Sequence, residues 1–162
     1  MDPAIIAAII GSIFAVLGPI ITLLITRYLD DRDKLTMSTG RQAIISGQWK
    51  GTLNQVDGRS GVAPITVNFV AKRKKIYGST ITQWPGGTDR AAYDTEYTFE
   101  GGFLYERYLR VDYVSKKRHR IQFGVIVLEL SPTGETLSGK FVGYGAFSED
   151  IISGYIELER AS

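Results

Sequence analysis

The run from Ala4 to Thr26, 23 residues long, carries no charge. A helix needs about 20 apolar residues to cross a hydrocarbon core of about 30 Å, so this run predicts one membrane-spanning helix. Pro19 would break a helix in water, but in lipid it is tolerated as a kink. A cleaved signal peptide fits less well. Asp2 stands where a basic residue belongs, the apolar run is too long, and no small-x-small cleavage site follows. A buried helical hairpin broken at Gly18-Pro19 is the remaining alternative. Arg27, Arg32, Lys34 and Arg41 follow the run and no Lys or Arg precedes it. Basic residues stay on the cytoplasmic side, so the C-terminal part is expected in the cytosol of a single-pass protein. Ala7, Gly11, Ala15, Gly18 and Thr22 recur at helical spacing. Small residues in such a stripe let helices approach closely in lipid, which predicts homo-oligomers formed through the helix; the alternative is that Ala and Gly are simply common in membrane helices.

The chain divides into an anchor (1–28), a juxtamembrane helix or linker (29–45) and a β-domain (46–162). Thr36, Ser38, Thr39 and Gly40 read as linker, and Ile44 and Ile45 are placed to cover one end of the domain. From Gly47 onward the apolar period becomes two. Trp49, Gly51 and Leu53 open the pattern, followed by Ile65, Val67 and Phe69, then Ile76 to Thr82, then Tyr93 to Phe99. Glu100-Gly101-Gly102 reads as a tight turn. Phe103 to Tyr113 follows as one strand, then His119 to Leu130, Leu137 to Ala146 and Ile151 to Glu159. About eight strands joined by short turns predict an all-β, up-and-down barrel, which removes exposed sheet edges. A β-sandwich is the alternative. Glycines inside the last strands, such as Gly139, Gly143 and Gly154, mark curvature or room for a ligand.

Several function classes are excluded. A net charge of +2 is too small for general DNA or RNA binding. There is no cysteine, and the single histidine, His119, sits in a basic run. A histidine metal cluster is therefore excluded, and neither a nucleophile elbow nor a phosphate loop is present. No enzyme activity and no cofactor are expected.

Binding remains. On the strand Phe103 to Tyr113, the parity that turns Phe103, Leu109 and Val111 inward also turns Tyr105, Arg107 and Tyr113 inward. An arginine facing a barrel interior must be paired or must serve a ligand. Tyr93 and Tyr97 share the inward parity of their own strand. Tyrosine faces with one guanidinium suit a planar anion. The alternative is a packed core in which Glu106 or Glu129 satisfies Arg107. The longest loop, Gln83 to Ala92, is placed to close a barrel mouth and carries Trp84 and Arg90. The basic stretches Lys72 to Lys75 and Lys116 to Arg120 read as solvated turns, with attraction to anionic lipid headgroups as the alternative.

Gly47-Gln48-Trp49 resembles the Gly-x-Trp opening of lipocalin-like barrels, in which a basic residue late in the last strand packs over the Trp. Arg160 matches that position. The resemblance implies that Trp49 and Arg160 are structural and close the barrel floor. The whole layout also resembles the membrane-anchored β-barrel effectors of bacterial CBASS-type antiphage systems, although the commonest pattern there has two membrane helices. That resemblance implies an inner-membrane protein whose barrel senses a cyclic dinucleotide and whose helix oligomerises to disrupt the membrane. Two other functions fit the residues. One is a membrane-tethered carrier of a lipid or small apolar metabolite, and the other is a structural anchor with a packed barrel.

Overall fold

The computed structural model describes residues 18, 19, 21–23, 25, 26, 37–57, 60–87, 91–117, 119–146 and 148–161. The chain separates into two compact units, Met1–Lys34 and Leu35–Ser162. In the first unit the described residues are helical, and Thr22 Oγ1 donates to the Gly18 carbonyl at 2.9 Å. Ala7, Gly11 and Ala15 lie outside the described residues, as does most of the predicted span. Among the described residues no helix is long and apolar enough to cross a membrane.

The second unit is a closed barrel of eight antiparallel strands in chain order. They are β1 (Gly47–Gln55), β2 (Gly61–Lys72), β3 (Lys75–Trp84), β4 (Tyr93–Leu104), β5 (Tyr108–Ser115), β6 (Phe123–Leu130), β7 (Thr136–Gly145) and β8 (Asp150–Arg160). Each pairs with the next, and β8 returns to β1 with Trp49 opposite Arg160. The alternation follows from strand geometry, which sends successive side chains to opposite faces. Along β2, Ala63, Ile65, Val67 and Phe69 are buried while Pro64, Asn68 and Val70 are exposed.

A short helix, α1 (Thr39–Ile45), precedes β1. The expected linker at Thr39 and Gly40 is instead its first turn, because Ser38 caps it by accepting from the Arg41 amide at 3.3 Å. Its last residue, Ile45, is fully buried, and the Ile45 carbonyl accepts from Trp49 Nε1 at 3.0 Å. Ser46 ties the helix to the sheet: its hydroxyl donates to the Gln42 carbonyl at 2.7 Å and accepts from the Ala71 amide at 3.3 Å. Arg160 donates to the Ala43 carbonyl at 3.4 Å. The floor of the barrel is thus a helix end held by β1, β2 and β8. Around it Trp49, Ile76, Phe103, Leu109 and Leu137 are all 0% exposed.

One turn moves. Gly101 and Gly102 lie within β4, and the hairpin turns at Tyr105 and Glu106, both in the left-handed region at φ 53° and 55°. A Cβ on Gly101 would sit 2.0 Å from the Arg110 carbonyl oxygen. This glycine therefore serves the close approach of β5 rather than a turn. The expected single strand from Phe103 to Tyr113 is in fact two strands, with Phe103 opposite Leu109.

Candidate ligand site

Closure by α1 leaves the other end of the barrel as its mouth. There β1, β3, β5 and β7 end and the even strands begin. A cavity of about 40 Å³ lies in this half. Its aliphatic walls are Leu53, Ile65, Ile126, Ile152 and Ile156. Its aromatic walls are Trp84, Tyr97, Tyr113 and Phe141. Its polar groups are Gln55, Thr80, Thr82 and Gln122. None of the described residues that line it is charged. A smaller space of about 20 Å³ lies deeper, toward Phe69, Phe99 and Leu158, and shares Ile65, Thr80, Ile126 and Ile156 with the first.

The room has a local cause. Tyr113 turns inward from β5 over the paired glycines Gly124 and Gly143 of β6 and β7. A Cβ on Gly143 would lie 2.2 Å from the Tyr113 hydroxyl and 2.4 Å from the Phe123 carbonyl oxygen. The glycines therefore make the dent that seats the phenol. Tyr97 meets Tyr113 edge to face at 5.3 Å. Burial pushes the Tyr97 phenol up to about 12, an effect that Thr95 and Arg120 partly offset. Burial also raises that of Tyr113, with Tyr97 adding to it. Both phenols stay neutral across the physiological range. Trp84 stacks on Tyr93 at 6.3 Å and 17°, which fixes the indole at the rim.

Thr80 and Thr82 are 4% and 1% exposed, and neither hydroxyl has a hydrogen-bond partner in the protein. Burying a hydroxyl in that state costs about 1–3 kcal/mol. Across the ladder to β2 they face Val67 and Ile65, which offer no side-chain acceptor. On the other side Thr82 faces Thr95, whose hydroxyl is directed at the Thr82 carbonyl at 3.5 Å. Gln55 uses its amide nitrogen on the Asp57 carbonyl at 2.9 Å, leaving its side-chain oxygen for other partners. Nothing in the sequence marked these two threonines, because Thr is an ordinary strand residue.

The expected site residues fall into two groups. Trp84, Tyr97 and Tyr113 meet at the cavity, with Tyr93 packed behind Trp84. Tyr105 and Arg107 do not. Tyr105 is 84% exposed in the β4–β5 turn. Arg107 ends the same turn at the closed end and lies outside the barrel. It pairs there with Glu129 through Nε at 2.7 Å and through a second guanidinium nitrogen, and it lies over the Tyr108 ring at 5.5 Å. The inward placement of Arg107 is thereby corrected: its carboxylate partner is Glu129, on the solvent side. Arg90 lies outside the described residues. Gly18 belongs to the other unit, where it is helical.

No known protein family profile matches the chain. No curated protein matches it either. Solved structures do. The chain is similar to EF1p2_mFAP2b bound to DFHBI, with a TM-score of 0.56 and 11% identity over 76% of this chain and all of that one. It is also similar to a redesigned β-barrel, with a TM-score of 0.54 and 11% identity over 75% of this chain and 95% of that one. At that identity the likeness is one of fold: a closed antiparallel barrel.

Proposed function

We propose that this protein is a receptor or carrier for a small uncharged ligand, held in the mouth half of the barrel and tethered to a membrane by the Ala4–Thr26 segment. The observation that carries the reading is the cavity lining: aromatic and aliphatic walls, a few neutral polar groups, and no charge among the described residues. Binding sites for small molecules have this composition. The similar barrel bound to DFHBI supports the general capacity of such a barrel to hold a small molecule. The function is binding, not catalysis.

A cyclic dinucleotide is supported less well. Its phosphates would be buried charges with no cation among the described residues that line the cavity, and that is costly. The guanidinium expected to meet them, on Arg107, stands outside at the opposite end. The tether rests on the uncharged run and on the basic flank that follows it. The chain enters the barrel at the floor through α1.

The test is a titration of the full chain in lipid nanodiscs, which avoids detergent entering the cavity. Toluene, p-cresol and a cyclic dinucleotide are added in turn, and binding is followed by tryptophan fluorescence and calorimetry. The expected result is saturable binding of the uncharged aromatics and none of the dinucleotide. Binding of the dinucleotide alone, or of no uncharged compound, overturns the proposal.

A further inference from the structure

The ligand's chemistry is written in the two unpartnered threonines. We propose that the cavity takes an uncharged single-ring phenol, its ring between the aromatic walls and its hydroxyl on Thr80 and Thr82. The inference rests on the receptor reading above and names the ligand class for that same site.

Size comes first. The space is small, about 40 Å³, which favours one compact ring over a fused or linked system. Shape follows from the walls. Tyr97 and Tyr113 stand edge to face, and Phe141 and Trp84 complete an aromatic lining that favours ring edges and faces. Polarity follows from β3. Thr80 and Thr82 lie two residues apart on one strand, about 7 Å, and both turn inward. Thr80 also borders the deeper apolar space. A ring seated there places its apolar edge downward and its polar substituent level with the hydroxyls.

Valine explains the choice of residue by contrast. It has the shape of threonine, is as well suited to a strand and leaves no buried hydroxyl unsatisfied. The neighbouring strand uses Val67 and Ile65 at the facing positions. Two hydroxyls retained here, each 4% exposed or less, point to a bound partner that both donates and accepts. A phenolic hydroxyl does both. An anion is disfavoured, because no described lining residue is cationic.

The experiment compares p-cresol with toluene, two rings of similar shape differing in one hydroxyl. It uses the full chain in nanodiscs, as wild type and as the Thr80→Val/Thr82→Val double variant. Wild type is expected to bind p-cresol about tenfold more tightly than toluene, the scale of one well-made hydrogen bond in a dry site. The double variant is expected to bind both alike, with toluene affinity kept or improved. Its melting temperature without ligand is expected to rise, which shows that the fold is intact. Equal binding of the two compounds by wild type, or a preference that survives in the double variant, overturns the phenol assignment and leaves the receptor reading standing. Failure of both compounds to bind wild type overturns both.

Discussion

At the floor of the barrel Ile45, Trp49, Phe103 and Leu137 are fully buried, and the indole N–H of Trp49 has its acceptor. At the mouth Gln55, Thr82, Tyr97 and Tyr113 are just as surely inside, yet they surround a cavity, and two of the hydroxyls there have no partner in the protein. The same eight strands make both halves. One half is filled mainly by fully buried side chains, and the Trp49 indole there has its acceptor, as a core that supports stability requires. The other leaves space and hydrogen-bonding capacity unused, at a cost in stability. Such a cost is expected where a site rather than a core is being maintained.

The two tryptophans break or sharpen this comparison most directly. Trp49→Ala removes a fully buried ring and orphans the Ile45 carbonyl. It should cost about 3–5 kcal/mol in denaturant unfolding. Trp84→Ala removes an equal volume beside an existing space and should cost less than half as much. Equal losses would erase the distinction between floor and mouth.

A smaller effect comes from pH. The fold holds the Tyr97 phenol above its ordinary value of 10.0, at about 12, so it favours the neutral form. That contribution is complete below pH 10 and is lost as pH rises from about 10 toward 12. The size is on the order of 2 kcal/mol. Urea midpoints measured between pH 9 and 11.5 should fall more steeply for wild type than for Tyr97→Phe. Parallel curves would mean that the mouth is wetter than its burial indicates.

The smallest effect belongs to Arg107→Ala. Its pair with Glu129 is exposed to solvent, where ion pairs contribute little. The unfolding midpoint should stay within error of wild type, and p-cresol affinity should not change. A loss of ligand affinity would return Arg107 to the site and contradict its position outside the closed end.

Much of the barrel could be read from the residues. Alternation along Ile65 to Phe69 and Tyr93 to Phe99 assigned inward faces that the structure keeps, and Tyr97 and Tyr113 reach the cavity as their parity required, whereas Trp84, read as part of the mouth loop, is the last residue of β3 and lines the cavity from there. The misreading at Tyr105 and Arg107 has a definite source. Glu100-Gly101-Gly102 carries stronger turn chemistry than Tyr105-Glu106-Arg107, and parity was carried across a hairpin as though it were one strand. Only the pairing of Gly101 with Val111 shows that the glycine is needed for strand approach.

By itself, the sequence determined the uncharged N-terminal run, the change of period at Gly47, the barrel class and the inward set on most strands. These are local patterns, set by the geometry of a helix or a strand and legible within a dozen residues. Tertiary structure alone decided which side of the wall Arg107 occupies and where the interior stays unfilled. It alone also decided that Thr80 and Thr82 lack partners. Those depend on register and on the summed volumes of side chains from strands far apart in sequence. Neither can be read from any one strand, because closing the barrel is what brings those side chains together.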